Sequence, residues 1–263
     1  MLELYQHHYS ILHRLDARVK VIFTLAFILS LSLTPPGAWP AYILFFTVIL
    51  SAVQLSRLGV GFVLTRALLA VPFMLSALPL IFTGPPPLFS IALFVEIQIN
   101  LSSIGTIRFA SIALKSWMSV QAAILLAATT RFPDMLVALK QLSIPRIFVA
   151  IIGLMWRYLL VIVEEVTCML RARSSRSAVL PGSRHSGGTL FWRGRVTGGM
   201  VGSLFLRSLE RSDRVYAAML SRGYNGEPPV FNSASLSARD RKTLILGIAT
   251  LIILMLLGLL TGG

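Results

Sequence analysis

The chain has 263 residues, of which 56% are hydrophobic and only 13% charged, with a mean hydropathy of +0.79 and a formal net charge of +14. Soluble domains carry about 25% charged residues, so this composition describes an integral membrane protein. A single cysteine, Cys168, excludes an internal disulfide, and one thiol with no second Cys or nearby His is a poor metal site, so neither structural zinc nor redox chemistry is expected.

In chain order, five apolar runs predict transmembrane helices: Val19 to Leu33, Ala41 to Leu55, Ala67 to Phe82, Ile107 to Ala128 and Leu244 to Leu260. Each approaches the roughly 20 residues needed to cross a bilayer, the first two being lengthened by their flanks. Glu3 and Asp16 before the first run, and a second run almost at once after it, speak against a cleaved signal peptide. Pro35-Pro36-Gly37 and Gly84-Pro85-Pro86-Pro87 read as tight tips between spans.

The Lys and Arg positions give an orientation. With a cytoplasmic N-terminus, the cytoplasmic segments hold 22 of the 24 basic residues, and the outer loops, 34–40 and 83–105, hold none. Arg108 and Lys115 fall inside the fourth span. That asymmetry predicts five spans, N-terminus in and C-terminus out. The net charge is then a topology signal, and nucleic-acid binding loses its force because the cations lie between spans.

From Leu88 to Ser103 the chain alternates, with Glu96, Gln98, Asn100 and Ser102 on one parity. A short strand-like or interfacial outer segment is expected, with a re-entrant lining element as the alternative. Pro133 opens a short amphipathic helix in which Met135, Leu136, Leu139 and Leu142 recur at helical spacing. Pro145 begins a long helix ending in Arg171, Arg173 and Arg176. Its first half could cross the membrane, but preserving the topology favours a helix lying along the cytoplasmic interface.

After glycine-rich breaks at 181–183 and 186–188 comes the stretch Leu209 to Tyr224, "LERSDRVYAAMLSRGY". Phe205, Leu209, Ser212, Tyr216 and Met219 share one helical face, which requires lipid or protein core. Arg207, Arg211, Arg214 and Ser221 lie on the far side, with Glu210 four residues before Arg214 in the favourable ion-pair order. Gly223 suits the first position beyond the helix, and Arg222 suits the negative end of its dipole. The expected organisation is a membrane part over 1–130, coupling helices over 131–241 and a last span over 242–263.

Two triplets, Ala172-Arg173-Ser174 and Ser221-Arg222-Gly223, place an Arg between small residues at or near basic helix ends. With "HRLDARVK" (His13 to Lys20), "WRYLLVIVEEVTCMLRARSSR" (Trp156 to Arg176) and "GSLFLRSLERSDRVYAAMLSRGYNG" (Gly202 to Gly226), they are the blocks in which the chain resembles the transmembrane T component of energy-coupling factor (ECF) transporters, in its cobalt-transport CbiQ branch. Ser174 stands where Gly is common in that family. The resemblance implies an all-α integral membrane protein of the bacterial inner membrane with about five spans and long cytoplasmic coupling helices. It implies no catalysis and no cofactor in this chain, since ATP and Mg are bound by a pair of ABC-type ATPase subunits. Its other implied partner is a membrane substrate-binding component, CbiM-like with a small CbiN-like subunit. Arg173 and Arg222 would anchor in grooves of the ATPases, and Ala172, Ser174, Ser221 and Gly223 would let the helix ends enter. The implied cargo is cobalt(II), with a nickel or vitamin system as the alternative within the class.

Rival readings come from the residues themselves. His7, His8 and His13 do not share a helical face, which argues for a polar interfacial tail over a metal site. An enzyme of lipid head groups would also use a basic surface, but Glu164 and Glu165 sit among arginines as ion-pair partners. An ion-coupled carrier finds no Asp or Glu within the five runs.

Overall fold

The computed structural model describes residues 10–81, 88–92, 98–142, 145–176, 189–225 and 236–262. These pack as two units, one formed by residues up to 142 together with 233–263, the other by 143–232.

The first unit is a helical bundle. After a short α1 (Ile11–Arg14), Asp16 caps α2 (Ala17–Leu33), its carboxylate accepting from the Arg18 backbone N–H at 3.0 Å. The chain then turns through Thr34-Pro35-Pro36-Gly37, where two prolines lack the N–H that a continuing helix would need. Tyr42 Oη donates to the Pro35 carbonyl at 2.7 Å, and the Gly37 N–H donates to Ser111 Oγ at 3.1 Å, so the expected tight tip is present and tied down. The next helix, α3 (Trp39–Ser56), ends at Arg57 in the left-handed conformation.

The third expected span is not one helix. The expected run from 67 to 82 begins where α4 (Val60–Ala67) ends and is divided into a 3-10 turn (Leu68–Ala70), α5 (Val71–Ser76) and a second 3-10 turn (Leu78–Ile81). Pro72 and Pro79 lie inside the apolar run, and each removes a backbone donor and clashes with the carbonyl four residues back. Apolarity alone had suggested a continuous span.

A two-stranded antiparallel hairpin follows, β1 (Leu88–Ala92) pairing with β2 (Gln98–Ser102) in the register Leu88 to Ser102 and Ala92 to Gln98. The alternation read from the sequence is thus strand, in an otherwise helical protein. The turn at 84–87 lies outside the described residues. Next come α6 (Ser103–Thr129), α7 (Phe132–Gln141) with Pro133 in its first turn, α8 (Arg146–Arg176), α9 (Leu190–Ser221) and α10 (Ala238–Thr261).

Helices α2, α3, α4, α6 and α10 enclose the core. Phe27 and Phe45 meet edge to face with centroids 5.5 Å apart, and Leu31, Met118 and Leu251 complete the most buried layer. Three buried hydroxyls bond back to their own helices: Ser30 Oγ donates to the Phe27 carbonyl, Thr34 Oγ1 to Ser30 and Thr129 Oγ1 to Leu125. At Gly258 a Cβ would stand 2.6 Å from Thr34 Cγ2, so α10 reaches the bundle only because that position has no side chain.

Among the described residues four helices are long and apolar enough to cross a membrane: Trp39–Ser56, Ile104–Thr129, Ile147–Arg176 and Ala238–Thr261. At 17 residues α2 is about 25 Å long, slightly short of a hydrocarbon core. The protein is an all-α, multi-pass membrane protein with one small β-hairpin.

Candidate functional site

The second unit is a helical hairpin. With 31 and 32 residues, α8 and α9 are each about 46–48 Å long. Thr189 fixes the start of α9, its Oγ1 accepting from the Trp192 N–H at 3.3 Å. The end of α9 is a Schellman cap: the Gly223 N–H donates to the Leu220 carbonyl at 2.9 Å, and the Tyr224 N–H to Met219 at 3.0 Å. Gly223 has φ of +78°, a conformation that strains any residue carrying a Cβ, so the glycine expected beyond the helix is required there.

The helices run antiparallel. Arg173 Nη1, near the end of α8, donates to Thr197 Oγ1, near the start of α9, at 3.0 Å. Farther along, Glu165 on α8 receives two cations of α9: Arg207 Nη1 lies 3.5 Å from Oε1, and Arg211 Nη2 lies 3.1 Å from Oε2. Arg207 and Arg211 are one turn apart, so the carboxylate is gripped from both sides of a helical turn. The Glu165 side chain is 20% exposed and Arg207 is 59% exposed, so solvent screens the pairs and each is worth at most about 1 kcal/mol.

The two triplets occupy opposite ends of this hairpin. Arg173 is half-buried three residues before α8 ends, whereas Arg222 is an exposed cap residue at the far end of α9. From Thr197, which Arg173 touches, to Arg222 the helix rises about 37 Å. Ala172, Ser174, Ser221 and Gly223 are exposed beside their arginines. Glu210 and Arg214 form the expected pair along α9 at 3.9 Å, and both are well exposed.

The arginine face of α9 is not turned wholly to solution: Arg207 and Arg211 point to Glu165. The half-buried face of α9 runs through Ser208, Arg211, Val215 and Met219. Of the apolar face read from the sequence, Phe205, Leu209 and Tyr216 remain exposed, joined by Phe191, Val201 and Leu220. Sequence reasoning assigned Glu165 to ion pairing but missed that its partners lie on another helix, and it missed Thr197 altogether. An acid placed eight residues before the Arg of one triplet, and two arginines a turn apart before the other, were the available signal.

His13 is close to Ser10, with Nδ1 2.7 Å from the hydroxyl oxygen, while His7 and His8 lie outside the described residues. No group of three potential metal ligands occurs among the described residues.

The family model described as "Cobalt transport protein", CbiQ, matches residues 8–231. The chain belongs to this family. The resemblance read from the three sequence blocks therefore holds, and the family is one of transporter membrane components. A transmembrane protein of the energy-coupling factor transporter of Lactococcus lactis subsp. cremoris is 27% identical over 227 residues, which cover 82% of this chain and 81% of that one. An uncharacterized protein of Methanocaldococcus jannaschii is 25% identical over 257 residues, 97% of this chain and 85% of the relative.

Proposed function

We propose that this CbiQ-family chain is the non-catalytic coupling component of an ECF-type importer, which passes the motion of two ATPase subunits to a substrate-binding membrane subunit. The observation that carries the reading is the hairpin with one arginine triplet near each end, Arg173 and Arg222 standing about 37 Å apart along a stiff element. Two ATPase subunits need two attachment points, and a pair of packed helices holds such points at fixed spacing. An Arg in a groove makes bidentate, charge-assisted bonds to carboxylates and is a typical interface hot spot, worth about 2 kcal/mol or more on truncation.

The cargo in this reading is cobalt(II), supported by the family's description, with nickel or a vitamin as the alternative. The substrate-binding partner is CbiM-like with a small CbiN-like subunit, and ATP and Mg belong to the ATPases. Arg207, Glu210, Arg211 and Arg214 support the coupling helix rather than dock. In this reading the chain lies in the bacterial inner membrane, and its N-terminus is cytoplasmic, an orientation supported by the distribution of 22 of 24 basic residues.

The test is recovery of ATPase subunits on the purified chain, alongside cobalt uptake, with membrane insertion as control. Arg173→Ala and Arg222→Ala each weaken recovery, and the double variant loses it more completely, as a bivalent attachment loses avidity. Arg→Lys restores only part, since Lys keeps the charge and loses the fork. Normal recovery and uptake in the double variant would reduce both triplets to ordinary helix ends. Uptake of nickel or a vitamin with no cobalt uptake would reassign the cargo alone.

A further inference from the structure

Between α8 and α9 the hairpin opens into two clefts. One, of about 540 Å³, is mainly apolar and lies between the first half of α8 and the second half of α9, with Ile147, Leu154 and Tyr158 facing Val215, Met219 and Tyr224. The other, of about 630 Å³, lies between the last turns of α8 and the first half of α9, where Arg173 and Arg176 share the walls with Trp192, Met200 and Arg207. Glu165 is the last α8 residue of the first cleft, and Arg207 the last α9 residue of the second. The Glu165 bridge to Arg207 and Arg211 therefore stands between the two openings.

We propose that Glu165, gripped by Arg207 and Arg211, is the positioning residue on which the two coupling helices pivot. This rests on the coupling reading above. Arg173 lies eight residues beyond Glu165 on α8, about 12 Å, and Arg222 lies eleven beyond Arg211 on α9, about 16 Å, so the bridge sits between two arms. Helices held at this level by two ion pairs, and beyond it by the single Arg173 to Thr197 bond, change the spacing of their ends by rotating about the doubly held join. A carboxylate held by two cations a turn apart permits that rotation while resisting a slide, because a slide of one turn, about 5.4 Å, would leave one arginine without its partner. Arg173 reaching Thr197 across the second cleft closes that arm in this state, through a side chain long enough to follow a modest opening. The device needs charge on both helices more than it needs volume.

The pivot is tested first on the chain alone in nanodiscs, with Cys168→Ser and spin labels at the exposed positions Ser175 and Ala218, by pulsed measurement of the distance between them. The expected result is one narrow distance in the parent, a broadened distribution in Glu165→Ala, and recovery of the narrow one in Glu165→Arg paired with Arg207→Glu and Arg211→Glu, which reverses all three charges. An unchanged distribution in Glu165→Ala overturns the proposal, and so does failure of the charge exchange to restore it. In liposomes with its ATPase and substrate-binding partners, Glu165→Ala is expected to retain ATPase subunits and ATP hydrolysis while cargo moved per ATP falls about tenfold, the size of a typical coupling term. An unchanged ratio would overturn the role in transport. The two readings fail separately: normal ATPase recovery by the Arg173→Ala/Arg222→Ala variant removes the coupling reading, whereas the label distances respond to Glu165 alone.

Discussion

Lys20 caps the helix that carries Lys115, and Lys115 caps the helix that carries Lys20. The Lys20 ammonium donates to the Thr129 carbonyl at the end of α6 at 3.0 Å, and that of Lys115 donates to the carbonyls of Ser32 and Thr34 at the end of α2. Fourteen residues separate Lys20 from Thr34 and Lys115 from Thr129, so two antiparallel helices exchange the same bond at both ends of a shared length of about 21 Å. A cation complements the negative end of a helix dipole and satisfies carbonyls that have no partner within the helix. This also explains a lysine inside an apolar helix without an ion pathway. Lys115→Met is expected to destabilise the purified protein by about 1–2 kcal/mol, read as a fall in melting temperature in nanodiscs. Lys20→Met should cost at least as much, since its bond to Thr129 is buried and it also donates to the His13 carbonyl. An unchanged melting temperature in Lys115→Met would refute the cap.

Glycines of α10 and α9 should respond in opposite directions. A methyl group on Gly258 would meet Thr34 Cγ2 at 2.6 Å and Ala41 Cβ at 3.3 Å, so Gly258→Ala is expected to cost about 1–3 kcal/mol by overpacking. Gly194, inside α9, has nothing within 4 Å, so Gly194→Ala should gain up to about 1 kcal/mol from helix propensity. Thermal melts of the two variants side by side decide this, and equal shifts would contradict the close approach of α10.

At the two arginine triplets, stability and the proposed function should separate. Arg222 is exposed, so Arg222→Ala should leave stability within about 0.5 kcal/mol. Arg173→Ala removes the bond to Thr197 as well and should loosen the hairpin by about 0.5–1 kcal/mol. Gly223→Ala forces a Cβ into a left-handed conformation and should cost about 1 kcal/mol, with Asn tolerated better. Hydrogen exchange of the amides of Gly223 and Tyr224 measures the last effect directly. Unchanged protection in Gly223→Ala would show that the cap does not depend on glycine.

Topology gives a fourth expectation. In a Cys168→Ser background, cysteines near Gly37 and Pro86 should react with an impermeant reagent from outside intact cells, and those near Ser186 and Ser235 only after the cytoplasm is opened. Labelling of position 186 from outside would reverse the orientation.

What the sequence revealed was local. The turn at Pro35-Pro36-Gly37, the alternation of β1 and β2, the proline start of α7 and the Gly223 cap each depend on residues close together in the chain, and each was readable. The Glu210 to Arg214 pair lies on one helix and was readable for the same reason. The Lys20, Lys115 and Glu165 bonds join residues between 42 and 109 positions apart, and no periodicity records such a meeting. The division of the third run had a local cause in Pro72 and Pro79, but hydropathy sums over a window and hides single prolines. At the coupling ends, the chain showed two similar triplets, while only the fold distinguishes a half-buried Arg173 from an exposed Arg222.

The packing of α10 also orders the making of the protein. Its Gly258 and Leu251 fit against α2 and α3, yet they are translated only after α7, α8 and α9. Throughout synthesis of α7, α8 and α9 the seat formed by α2 and α3 stands empty, and the membrane bundle closes only once α10 has been made. Both helices of the α8–α9 hairpin are therefore synthesised before the bundle can close.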